Sequence, residues 1–128
     1  MPRMRSIQPR LHIADFNRSL AFYRDVLGFE VTGFDEEDPP FALLTRDDIG
    51  IQIGGPEAMK LQEEQPTVTL YIDVDDARAV HETLKEKVEI EWGPEVYFYG
   101  RREFAFRDPD GHLIIISEET DDPVTDNG

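Results

Sequence analysis

Alternating apolar and polar residues open the chain. In 6–13 (SIQPRLHI), Ile7, Leu11 and Ile13 share one parity and Gln8, Arg10 and His12 the other. That is the pattern of a strand with one buried face. Pro9 supplies no N–H to a ladder, which places it at an edge or a bend. The period then lengthens: Asp15 caps a helix reaching about Leu27, with Phe16, Leu20, Tyr23 and Leu27 at helical spacing. Gly28 suits the residue just past a helix end. Strands are predicted at 29–34, 41–46 and 49–53, and the Gly, Pro and charge content of 54–66 reads as a linker.

The same order then returns. In 67–74 (TVTLYIDV), Val68, Leu70, Ile72 and Val74 share one face, and Thr67, Thr69, Tyr71 and Asp73 the other. Asp75 or Asp76 opens a second helix, along which Ala77, Val80, Leu84 and Val88 keep helical spacing. Strands follow at about 95–99, 102–107 and 112–117, and Trp92-Gly93-Pro94 reads as a turn. Phe104 and Phe106 fall on the parity that packs under the helix. The expected fold is α+β: two βαβββ modules, about 6–53 and 67–117, forming a sheet-lined cup with the helices outside. A repeated unit that cannot bury its own sheet face alone implies such pairing. The 128 residues suit one domain, here 1–119, followed by an acidic tail over 120–128 that is expected to fray.

Composition narrows the chemistry. Thirteen basic residues stand against 28 acidic ones, a net charge of −15. Nucleic acid is excluded as a partner, because binding it means neutralising phosphates with Lys and Arg. The charge reads either as a field attracting cations or as solubility and salt adaptation, since much of it lies at 35–38 and 118–126. The absence of cysteine excludes disulfides, thiol catalysis and thiolate metal sites. No apolar run reaches the roughly 20 residues of a membrane-spanning helix, and the N-terminal residues lack an apolar core of signal-peptide type. The expectation is a cytoplasmic protein with no membrane partner.

Parity assigns Gln8, Arg10, His12, Thr69, Tyr71, Asp73, Glu103, Ala105 and Ile115 to the cup-facing side, with Tyr99 beside them. Arg10 there needs a carboxylate such as Asp73 or Glu103, or else anchors an anionic group of a ligand. Glu103 is either a general base or, more ordinarily, half of a buried ion pair with Arg10 or Arg102. Tyr97 and Tyr99 serve either ligand stacking or strand packing. Trp92 either packs at an edge or rims the groove. His12, His81 and His112 have no ligand-like spacing, and no phosphate loop or nucleophile order is present.

ADFNRSLAFYRDVLGFEV (14–31) and YGRREFAFRDPDGH (99–112) resemble the two signature segments of the vicinal oxygen chelate superfamily, over Ile7 to about Glu119. That superfamily includes glyoxalase I, fosfomycin-resistance enzymes, extradiol dioxygenases and bleomycin resistance proteins. The resemblance implies metal-ligand positions at Gln8, Thr69 and Ile115, where metal enzymes of the superfamily carry two histidines and a glutamate. Gln can ligate, Thr is a poor ligand and Ile has no donor atom, whereas a catalytic divalent ion needs about three protein ligands. The chain is most similar to the non-catalytic bleomycin resistance proteins, through Pro9, the hairpin TRDDIGIQI (45–53) and the run from Tyr99 to Phe104. This similarity implies a homodimer that sequesters a cationic or aromatic small molecule with no cofactor, no metal and no catalytic residue. The alternatives are a metal-dependent lyase or dioxygenase with an atypical site, and a regulatory or assembly module.

Overall fold

Asp15 starts the first helix as the alternation predicts. Its Oδ1 accepts the Arg18 amide at 3.1 Å, closing the first turn of α1 (Phe16–Ala21). In the computed structural model, which describes residues 2–36, 39–55 and 67–126, α1 widens into a π-helical turn over Phe22–Val26. Gly28, at φ +75°, ends it. Arg46 donates from Nη1 to the Leu27 carbonyl at 2.7 Å, satisfying an acceptor that the helix leaves open.

The chain divides into two compact units, Met1–Pro66 and Thr67–Gly128. The expected linker is described only at Gly54 and Gly55, which are buried; 56–66 lie outside the described residues. In the first unit, β1 (Arg10–Leu11), β2 (Glu30–Asp35), β3 (Phe41–Arg46) and β4 (Ile49–Gly54) form one sheet in the order β1-β4-β3-β2. β1 runs parallel to β4, and the other pairs are antiparallel. Leu11, Ile13, Ala42, Leu44, Ile51 and Ile53 make the core with Phe16, Tyr23, Leu27 and Phe29.

The second unit repeats this plan. Asp76 Oδ1 accepts the Ala79 amide at 3.0 Å and caps α2 (Ala77–Leu84). β5 (Thr69–Asp73), β6 (Ile90–Tyr97), β7 (Arg101–Arg107) and β8 (Leu113–Glu119) are ordered β5-β8-β7-β6, with β5 parallel to β8. Phe104, Phe106, Ile114, Ile116 and Val96 are buried with Ala77 and Leu84 of the helix, and His81 packs edge-on against Phe104 at 5.1 Å. The fold is α+β, with two four-stranded mixed sheets. Among the described residues no helix is long and apolar enough to cross a membrane.

Two expectations need correcting. The strand over 6–13 pairs regularly only at Arg10–Leu11, because Pro9 offers its carbonyl to the Gln52 amide (2.9 Å) but has no N–H to extend the ladder. Ile7, expected in the core, is 91% exposed. Trp92-Gly93-Pro94 is not a turn between elements but part of β6, whose register shifts twice around it. Gly93 sits at φ +79°, and a Cβ there would lie 2.2 Å from the Glu103 carbonyl oxygen, so the bulge requires glycine. The tail residues carry contacts as far as Asp126. Thr125 and Asp126 amides donate to the Val96 carbonyl at 2.9 and 3.2 Å, Val96 donates back to Thr125 Oγ1 at 2.7 Å, and Asp122 pairs with the buried Arg102.

Candidate functional site

Strand register decides which side chains share a face. In the second unit Tyr71 lies opposite Ile115, Ile115 opposite Ala105, and Ala105 opposite Trp92. The adjacent row runs Asp73, Ser117, Glu103, Glu95. Thr69 shares the same parity at the end of β5. The helix covers the other face, where Phe104, Phe106, Ile114 and Ile116 lie, so this polar face is the one that parity predicted.

Glu103 is the centre of that face and is only 1% exposed. Its Oε2 accepts hydrogen bonds from Tyr71 and, at 2.7 Å, from Ser117; its Oε1 accepts from Tyr99. The expected ion pair with Arg102 is not formed: Arg102 sits at the alternate register position, turned to the opposite face, where it meets Asp122 and, at 3.8 Å, Glu118. Among the described residues, hydroxyls satisfy the Glu103 carboxylate. Arg101 joins the same cluster: its Nε donates to Ser117 Oγ at 2.5 Å and its Nη2 donates to Asp73.

The phenols respond to this setting. Burial pushes the Tyr99 hydroxyl up from the ordinary tyrosine range, and the bond to Glu103 adds to the effect. Tyr71 is raised for the same two reasons, partly countered by Ser117. The rings remain reachable, with Tyr71 53% and Tyr99 49% exposed. Tyr97 stacks on Tyr99 at 5.8 Å with 9° between planes, and Trp92 meets Tyr97 edge-on at 5.7 Å. The turn between β6 and β7 thus builds an aromatic wall beside the carboxylate. Trp92 joins it because the bulge keeps residue 92 on the sheet.

Gln8, Arg10 and His12 belong to the first unit. Arg10 donates from Nε and Nη2 to Gln52 Oε1 at 3.1 and 3.0 Å, and its guanidinium lies 5.0 Å from the Phe41 ring centre. Gln52 Nε2 donates to Gln8 Oε1 at 3.1 Å. Gln8 also lines a shallow depression of about 390 Å³ with Thr45, Asp47 and Asp48 of the β3–β4 hairpin. His12 is half-buried just beyond β1. The residues that sequence reasoning left out are Ser117, Gln52 and Phe41. Ser117 was detectable, being two residues past Ile115 on the same parity.

A metal does not fit the donors present. Of the three positions that correspond to metal ligands, Ile115 has no donor atom, Gln8 gives its amide oxygen to Gln52, and Thr69 offers one weak hydroxyl. Among the described residues no three His, Asp or Glu side chains gather closely enough to hold an ion.

Comparison with known proteins bears on this site. The family model described as Glyoxalase/Bleomycin resistance protein/Dioxygenase superfamily matches residues 8–116. The uncharacterized protein YraH of Bacillus subtilis (strain 168) is 33% identical over 129 residues, covering 88% of this chain and 97% of that protein. A protein of unknown function from Agrobacterium tumefaciens str. C58 has a similar structure, with a TM-score of 0.70 and 29% identity, covering 93% of this chain and 97% of that one. TnmS3, an antibiotic binding protein from Streptomyces sp. CB03234, is similar with a TM-score of 0.74 over 94% of this chain and 100% of its own. At 19% identity that likeness is one of fold alone.

Proposed function

We propose that this chain, which belongs to the Glyoxalase/Bleomycin resistance protein/Dioxygenase superfamily, binds and sequesters a cationic or aromatic small molecule without a metal ion. No bond is made or broken in this reading. Protection would come from stoichiometric capture in the cytoplasm, by a homodimer of the bleomycin-resistance type. The observation that carries it is the donor set of the polar face: Ile115 stands where a metal enzyme needs a carboxylate, and hydroxyls already engage both Glu103 oxygens. What the face offers instead is suited to holding a ligand. Tyr99, Tyr97 and Trp92 present aromatic surface, and the Tyr71 hydroxyl and the Asp73 carboxylate present acceptors in front of the buried Glu103. Gln8, Arg10, His12 and Thr69 are the further residues proposed to contact the ligand. The net charge of −15 favours a cation, and the antibiotic-binding description of TnmS3 supports an antibiotic as the class of ligand.

Calorimetric titration with bleomycin, metal-free and copper-loaded, at two salt concentrations tests this. The expected result is saturable binding that weakens as salt screens the charge. Stoichiometric Zn, Ni, Fe or Mn in protein purified without chelators, or metal-dependent turnover of a glyoxal hemithioacetal or a catechol, would overturn it.

A further inference from the structure

Proton accounting around Glu103 indicates more than a generic acidic site. Tyr71, Tyr99 and Ser117 each own one hydroxyl hydrogen, and each donates it to the carboxylate. Arg101 Nε fills a lone pair of Ser117 Oγ at 2.5 Å. Tyr71 and Ser117 oxygens lie 2.8 Å apart, so with the Tyr71 hydrogen on Glu103 the Ser117 hydrogen is shared between Glu103 and the phenolic oxygen. The two phenolic oxygens are therefore acceptors with nothing to give. Among the described residues the Arg101 guanidinium pairs with Asp73, and the Glu103 carboxylate is met by hydroxyls rather than by a cation.

We propose that Tyr71 and Tyr99 form an acceptor pair that relays the Glu103 charge to the surface and selects a planar organic cation bearing N–H groups, such as an amidinium or a guanidinium. Such a group donates into both phenolic oxygens while its flat face lies along the wall made by Tyr99, Tyr97 and Trp92. A carboxylate or a carbonyl brings acceptors to acceptors and is refused. A quaternary ammonium supplies charge but no hydrogen. The raised ionisation of both phenols keeps the pair neutral, with their hydrogens turned to the carboxylate behind them. This selection rests on the binding function proposed above and names the chemistry that its ligand must present.

The test uses four small probes of matched size: benzamidine, benzamide, benzoate and trimethylphenylammonium. Affinity is read from NMR shifts of the Tyr71, Tyr99 and Trp92 signals in the full chain. Benzamidine is expected to bind about ten-fold more tightly than each of the others, the effect of a charge-assisted hydrogen bond. Glu103→Gln is expected to abolish that preference, and Tyr99→Phe to reduce it, with both variants folded by the same spectra. Benzoate or benzamide matching benzamidine would overturn the inference, as would a preference unchanged in Glu103→Gln or benzamidine shifts confined to other residues. The two readings fail separately. If the preference holds but no large ligand is captured, sequestration fails and the selection stands. If bleomycin binds but the probes show no order, the selection fails and sequestration stands.

Discussion

Replacing Glu103 with Ala and with Gln separates the shape of the buried carboxylate from its charge. Ala deletes one methylene and the carboxyl from a site that is 1% exposed. The lost methylene costs about 0.8 kcal/mol, before the cavity left by the carboxyl is counted. The hydroxyls are not all stranded. Ser117 can turn to Tyr71, 2.8 Å away, and the half-exposed Tyr71 and Tyr99 can turn to water. Part of the hydrogen-bond loss is thus recovered, and removing a buried charge returns some of its desolvation cost. The net expectation for Glu103→Ala is a loss of about 2–3 kcal/mol, or roughly 6–12 °C in Tm. Gln keeps the volume. With its carbonyl at the Oε2 position it still accepts from Tyr71 and Ser117, and its amide nitrogen then donates to the Tyr99 oxygen, whose own hydrogen turns outward. Its stability should stay within about 1 kcal/mol of the parent. Urea unfolding of the three proteins at neutral pH, followed by circular dichroism, measures both. If Ala equals the parent, or Gln falls as far as Ala, the hydrogen-bond assignment made here is wrong.

Gly93→Ala should cost about 3 kcal/mol or more, because the added Cβ meets the Glu103 carbonyl at 2.2 Å in a backbone region that L-residues avoid; thermal melts check this. In Tyr99→Phe the late-titrating phenol disappears from the alkaline absorbance titration. A phenol raised on folding stabilises the native state fully below its ordinary value of 10.0 and loses that contribution as pH rises through the folded value, so the gap between parent and variant should be flat below 10.0 and shrink above it. Asp122→Asn acts in the opposite direction. The bond from Arg102 holds the Asp122 carboxyl below its ordinary 3.8, so its contribution is present above 3.8 and lost as pH falls further; the stability gap to the variant should close in acid.

Much of this was legible in the residues because the two periods are clean. The caps at Asp15 and Asp76, the turn-ending Gly28 and the buried Phe104 and Phe106 follow from local chemistry that tertiary context did not override. Parity alone placed Tyr71, Asp73, Glu103 and Ile115 on one face. The misses share a cause, which is that pairing depends on partners far away in sequence. Pro9 cannot show how far a ladder runs on either side of it, so Ile7 looked buried. Trp92-Gly93-Pro94 has turn composition, yet β7 is long enough to hold it as a bulge. Glu103 was assigned a cationic partner because charge is visible in a sequence, while the convergence of three hydroxyls from β5, β8 and the β6–β7 turn is not.

The repetition of one topology makes the difference between the two polar faces informative. Both units order their strands alike, with the first strand parallel to the fourth. In the first unit Arg10 of that strand, with Gln8 just before it, engages Gln52 and the Phe41 ring, an amide and cation–π arrangement. In the second unit the equivalent strand contributes Tyr71 and Asp73, which engage a buried carboxylate and its arginine. A scaffold requirement would act on both copies, since each sheet has to satisfy the same backbone and cover the same kind of helix. The hydroxyl-ringed Glu103 has no counterpart at the described positions of the first face, so the fold does not demand it. A buried acid that costs desolvation and that the fold does not require is the residue on which the proposed recognition rests, and the Glu103→Gln probe series tests it.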